Sequence, residues 1–83
     1  MKHKYTAIMK TDAYFDLCKD WEYEIKDVRY YSNHNLRIMI NGSPRRYLAS
    51  DFTIFKDGEP ITAKEAYNAF KFRNAMKKVG LEQ

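Results

Sequence analysis

Apolar residues alternate with polar ones along most of the chain as far as Phe55, and beyond Thr62 they recur every three or four positions. A period of two describes strands with one buried face, and a period near 3.6 describes an amphipathic helix. The pattern therefore predicts a β-rich body over residues 1–56 and one C-terminal helix over residues 62–80. Lys4–Lys10 is the first predicted strand. From Thr11 to Asp20 two readings stand: Tyr14, Leu17, Cys18 and Trp21 have helical spacing with Thr11 as a cap, and a long loop accommodates the same residues. Trp21, Tyr23 and Ile25 then point one way, while Glu22, Glu24 and Lys26 point the other. Val28 and Tyr30 regain the apolar phase only across a bulge near Lys26 and Asp27, so this long strand is expected to bend there.

Leu36, Ile38 and Ile40 alternate with Arg37 and Met39. Asn41-Gly42 is a turn signal because both residue types accept positive φ, and Ser43-Pro44 lengthens the connection beyond two residues. Arg46–Ala49 and Phe52–Phe55 supply two more short strands, and Asp57-Gly58 with Pro60 is expected to end the sheet. In the helix, Thr62 and Glu65 have capping-box spacing, with Ile61 and Ala66 placed for a hydrophobic staple. Ala66, Ala69, Phe72, Met76 and Val79 form the stripe expected to face the core. Gly80 is placed for a left-handed C-cap, Leu81 for a contact back to Met76, and Lys77 and Lys78 for the negative end of the helix dipole.

The run Leu17-Cys18-Lys19-Asp20-Trp21-Glu22-Tyr23-Glu24-Ile25, followed by Leu36-Arg37-Ile38, Asn41-Gly42, Tyr47 and Phe52, carries a resemblance over roughly residues 7–55. It resembles a family of small uncharacterised bacterial and phage proteins with SH3-like barrels. Their pattern is a Leu-Thr-x-Gly-Lys-x-Tyr-x-Val strand start, a hydrophobic strand, an Asp/Asn-Gly turn, a Tyr strand and a closing Phe. The chain departs from it where Asp20-Trp21 stands in place of Gly-Lys, and it adds a C-terminal helix that the short members lack. The resemblance implies an α+β fold: a small, strongly bent antiparallel SH3-like sheet or barrel of about five strands, followed by one amphipathic helix. It also turns Thr11–Asp20 toward a loop folded over the barrel. On function the resemblance is almost silent, because the family has no agreed activity; it implies a phage source, and surplus aromatics on a small scaffold then make a phage-encoded accessory or inhibitor docking on a host protein in the host cytoplasm the expectation.

Size changes what chemistry is expected. A chain of 83 residues makes one domain with little surplus of burial over conformational entropy. Its 45% apolar content is needed for the core, and a deep enzyme-type cavity is not expected. Seven Tyr, five Phe and one Trp nevertheless exceed what one small barrel interior holds. Several of Tyr14, Phe15, Tyr31, Tyr47, Phe55, Tyr67 and Phe70 are therefore expected at the surface, as parts of a binding face. Fifteen Lys and Arg against eleven Asp and Glu give a net charge of +4, which favours contact with nucleic acid or an acidic protein surface. Cys18 is the single cysteine, so no intrachain disulfide forms and a reducing cytoplasm fits. The apolar stretch Tyr5–Met9 is too short for a signal-peptide core, and no segment approaches a membrane span.

Catalytic and metal chemistry find little support. Cys18, His3 and His34 lack the paired spacing of a structural zinc site. Cys18 or Ser50 with His34 comes with no nucleophile elbow, and Glu22 and Glu24 lie on the predicted wet side of a strand. No enzyme activity, cofactor or metal is expected. The surface candidates are Arg45 and Arg46 at a hairpin tip, Arg37 on the neighbouring strand, and Tyr31 with His34 beside them. Guanidinium groups grip phosphate or carboxylate with two hydrogen bonds, and a neighbouring tyrosine stacks or anchors. The bland reading makes these a solvated turn, with Arg37 balanced by Glu22 or Glu24 across the strands. A second row, Lys64, Tyr67, Lys71, Asn74 and Lys78, is either a phosphate-tracking stripe or the wet side of the helix. The preferred reading is a small protein-binding module, with direct DNA or RNA binding as the alternative; monomer or dimer stays open.

Overall fold

The computed structural model describes residues 3–12, 14–32 and 35–78. The elements run β1 (Tyr5–Met9), β2 (Glu22–Ser32), β3 (Asn35–Ile40), β4 (Tyr47–Leu48), a 3-10 turn over Ala49–Asp51, β5 (Phe52–Lys56), β6 (Glu59–Ile61) and α1 (Ala63–Lys78). All strand pairs are antiparallel and the spatial order is β4-β3-β2-β1-β5-β6. The α+β class therefore stands, with the helix following the sheet. The sheet is open, with β4 and β6 at its edges, rather than a closed barrel, and it has six strands rather than five.

The sixth strand arises where the sheet was expected to end. Asp57 and Gly58 both take positive φ, +52° and +88°, as a two-residue type I′ hairpin requires. The chain turns back as β6 and sets Pro60 opposite Phe55. Proline has no N–H for a further ladder, and it is accommodated because β6 is an edge.

β2 joins two halves of the sheet. Its first residues pair with β1, Glu24 opposite Thr6 and Glu22 opposite Ile8, whereas its later ones pair with β3, Val28 opposite Ile38 and Arg29 opposite Arg37. Between the halves, Ile25 faces Ile40 but Asp27 already faces Met39, so the bulge falls where the apolar phase predicted it. Asp27 is buried there, 7% exposed. Its carboxylate accepts hydrogen bonds from the Val28 N–H at 2.9 Å, Arg29 Nε at 2.5 Å and Asn74 Nδ2 of α1 at 3.2 Å. A buried carboxylate is tolerable only with such partners, and these fasten the helix to the bend.

The large, fully buried side chains are Met9, Val28, Ile38, Ile40, Tyr47, Ile54 and Phe70. Of the seven aromatics among which several were expected at the surface, Tyr47 and Phe70 thus belong to the core. Trp21 departs the other way: it precedes β2, is 65% exposed and takes no part in the apolar face assigned to it.

The helix begins on the capping box read from the sequence. The Thr62 N–H donates to Glu65 Oε1 at 3.0 Å, and the Glu65 N–H donates to Thr62 Oγ1 at 3.1 Å. Its buried face is not the expected one. Ala66 and Phe70 are buried, with Ala63 and Tyr67 half-buried against the core, while Phe72 is 67% exposed. At 3.6 residues per turn Phe72 stands about 240° round the axis from Ala66, whereas Phe70 stands about 40° away. The choice is made by the sheet: Phe70 meets the Tyr5 ring at 5.1 Å and Tyr67 meets Tyr30 edge-on at 4.6 Å. The Val79, Gly80 and Leu81 contacts expected at the helix end lie outside the described residues.

Residues 14–20 form successive turns and no helix, with the Leu17 N–H bonding the Tyr14 carbonyl and the Trp21 N–H bonding that of Cys18. This loop is anchored through its tyrosine. Tyr14 packs against Tyr47 and Phe52, donates its hydroxyl proton to Asp51 at 2.8 Å and accepts the Leu48 N–H at 3.0 Å.

Candidate functional site

β2 carries a second register shift between Tyr30 and Ser32, and the two tyrosines there meet different neighbours, Tyr67 for Tyr30 and Arg37 for Tyr31. Tyr30 turns to the helix, and Tyr31, 62% exposed, turns away from it. The neighbouring β3 and the segment before β4 bring two arginines onto the Tyr31 ring. The Arg37 guanidinium lies 5.3 Å from the ring centroid and that of Arg46 lies 5.1 Å from it, both within cation–π range. With Pro44 and Arg45 these residues line an open cleft of about 300 Å³. Four of the ten surface candidates singled out in the sequence, Tyr31, Arg37, Arg45 and Arg46, therefore meet in one place.

The connection carrying Arg45 and Arg46 is held from beneath. Tyr47 donates its hydroxyl proton to Asp16 at 2.5 Å and lies 2.8 Å from Ser43 Oγ, so the loop before β2 and the turn after β3 share one buried phenol. Asp16 in turn lies 3.6 Å from Arg45 Nη1. The Tyr47 hydrogen bond chiefly holds the Asp16 carboxyl below its ordinary range, with Arg45 contributing, so Asp16 is ionised at neutral pH. Burial first, and then the Asp16 carboxylate, push the Tyr47 phenol up, and burial likewise raises Tyr14. Both phenols are neutral hydrogen-bond donors at pH 7.

Arg37 is placed differently from its expected position. It is half-buried, flanked by Arg29 on β2 and Leu48 on β4, and not opposite Glu22 or Glu24. Those two glutamates sit on the half of β2 that pairs with β1, where Glu22 accepts from the Thr6 hydroxyl at 3.3 Å and Glu24 from Asn41 Nδ2 at 2.6 Å. Arg29 is neutralised by Asp27. Among the described residues, Arg37 and Arg46 have no carboxylate within ion-pair distance. Arg37 Nε is also buried with no hydrogen-bond partner among them.

The other site candidates among the described residues do not join the cleft. Tyr67 packs on Tyr30 and Asn74 bonds Asp27, so the proposed helix row is turned partly inward, leaving Lys64 and Lys71 exposed beside it. That row lies on the helix side of β2, away from Tyr31. His34 and the Lys78 side chain lie outside the described residues. The sequence reading missed the exposed Trp21 and Phe72, having assigned both to buried faces; Phe15 and Tyr31, two of the seven aromatics among which several were expected at the surface, are exposed. A second shallow cleft, of about 280 Å³, is lined by β1, β5, β6 and α1 and includes Glu65, which is engaged in the cap. Cys18 is exposed, and no helix among the described residues is long and apolar enough to cross a membrane. No protein-family model, curated protein or solved structure matches the chain.

Proposed function

We propose that this chain is a small non-enzymatic binding module that docks an acidic segment of a partner protein in the Tyr31 cleft. The observation that carries the reading is the stacking of Arg37 and Arg46 on one exposed tyrosine, beside Arg45, with no carboxylate on the two stacked guanidiniums among the described residues. Stacking holds the planar forks in place, so little side-chain entropy is lost when they grip an oxyanion. The cleft residues bind and orient; no nucleophile and base pair stands among them. The resemblance to small SH3-like bacterial and phage proteins adds a phage source, and with it a host protein as the partner. Direct nucleic-acid binding is the weaker reading, because its two basic patches lie on opposite sides of β2 and both faces of one strand cannot follow a single backbone track.

Titration of the labelled protein with a Glu-rich peptide and with a single-stranded oligonucleotide of equal charge tests this. The peptide is expected to perturb Tyr31, Arg37 and Arg46 and to lose about tenfold in affinity on Tyr31→Ala. Binding of the oligonucleotide alone would overturn the assignment.

A further inference from the structure

Resting on that reading of the cleft, we propose that the group it accepts is a phosphoryl monoester on a side chain of the partner protein, seated between Arg37, Arg45 and Arg46 above Tyr31. Charge is the first reason. Three guanidiniums line the cleft, and Asp16 is the one carboxylate among the described residues within ion-pair distance of any of them. It is ionised at neutral pH, so two positive charges remain uncompensated. A phosphorylated serine or threonine carries about −1.5 to −2 at pH 7 and matches them, whereas a single Asp or Glu leaves one guanidinium unmatched. Geometry is the second. A tetrahedral phosphoryl group offers three terminal oxygens, enough for forks arriving from β3 and from the segment before β4, while a planar carboxylate is filled by one fork.

A nucleic-acid backbone suits the site less well: its diesters carry one charge each and are strung along a strand, which calls for a track of cations rather than one compact cluster. The exposed helix lysines that would lengthen such a track, Lys64 and Lys71, belong to the helix that packs on the Tyr30 side of β2.

The test uses the full chain and four probes: one peptide bearing a single phosphoserine, the same peptide with Glu and with Ser at that position, and a single-stranded oligonucleotide. By fluorescence anisotropy the phosphoserine peptide is expected to bind about tenfold more tightly than the Glu peptide. Arg46→Lys, which keeps the charge but removes the fork, is expected to erase most of that preference. Arg46 is exposed, so this variant should retain the parent's thermal melt; Arg37→Lys, nearer the core, is read only if its melt is likewise retained. Equal affinity for the phosphoserine and Glu peptides would overturn the phosphoryl assignment and leave acidic-segment docking standing. Absence of binding to every peptide, or tighter binding of the oligonucleotide, would overturn both.

Discussion

Asp20 holds φ at +69°, in the left-handed region that β-branched residues enter only under strain and that Asp tolerates. It closes the turn that leads into β2. Asp20→Gly is expected to leave stability within about 0.5 kcal/mol, relief of strain being offset by a floppier unfolded chain. Asp20→Val is expected to cost about 1–2 kcal/mol. Urea melts of the two variants check this, and a valine variant as stable as the parent would contradict the turn geometry. At this scale the cleft was largely legible. Arg45 and Arg46 follow a turn signal, and Tyr31 and Arg37 lie on adjacent strands. The burial of Arg37 was not legible, because it depends on which half of β2 faces β3 and hence on the position of the bulge.

At the scale of elements, the helix shows how local pattern and packing divide the work. Its start is written in four residues, and the reciprocal bonds of Thr62 and Glu65 follow from local geometry alone. Its buried face is not written locally. Ala66 belongs to two stripes, one running through Ala69 to Phe72 and the other through Phe70, with aromatic residues on both. Only the Tyr5 and Tyr30 rings presented by the sheet favour the second. Phe70→Ala is therefore expected to destabilise the protein by about 3–5 kcal/mol and Phe72→Ala by less than about 0.5 kcal/mol. Chemical denaturation measures both, and a reversed ranking would return the helix to the orientation that periodicity alone predicts. The same distinction applies to β6. Asp57-Gly58 reads equally as the end of a sheet or as a hairpin turn, and the difference lies in whether an edge of β5 is open to receive the next residues.

For the molecule as a whole, three carboxylates couple folding to pH. The Tyr47 hydroxyl lowers Asp16, the Lys4 N–H and then His3 lower Asp57, and the Thr62 N–H and hydroxyl lower Glu65. In each case the folded value lies below the unfolded one, so the unfolded chain binds more protons in acid. The stabilisation is complete above the unfolded values, near pH 4, and is lost as pH falls through the lower folded ones. The urea midpoint is expected to be level between about pH 5.5 and 8 and to fall below about pH 4.5. Glu65→Gln, which preserves the capping geometry without a titrating group, should make that fall shallower; an unchanged slope would remove Glu65 from the account.

The sequence by itself determined the class of the molecule, the bend in β2, the helix start and the identities of the cleft residues. These depend on interactions within a few positions of one another: side-chain period, turn preference and capping. Tertiary structure alone decided that the sheet stays open with a sixth strand and which side of the helix is buried. It also placed Tyr47 and Phe70 inside and left Arg37 beside Tyr31 without a carboxylate among the described residues. Each of those outcomes is a competition between surfaces far apart in the chain, and residues with equal local claims to burial are separated only by what they meet when the layers come together.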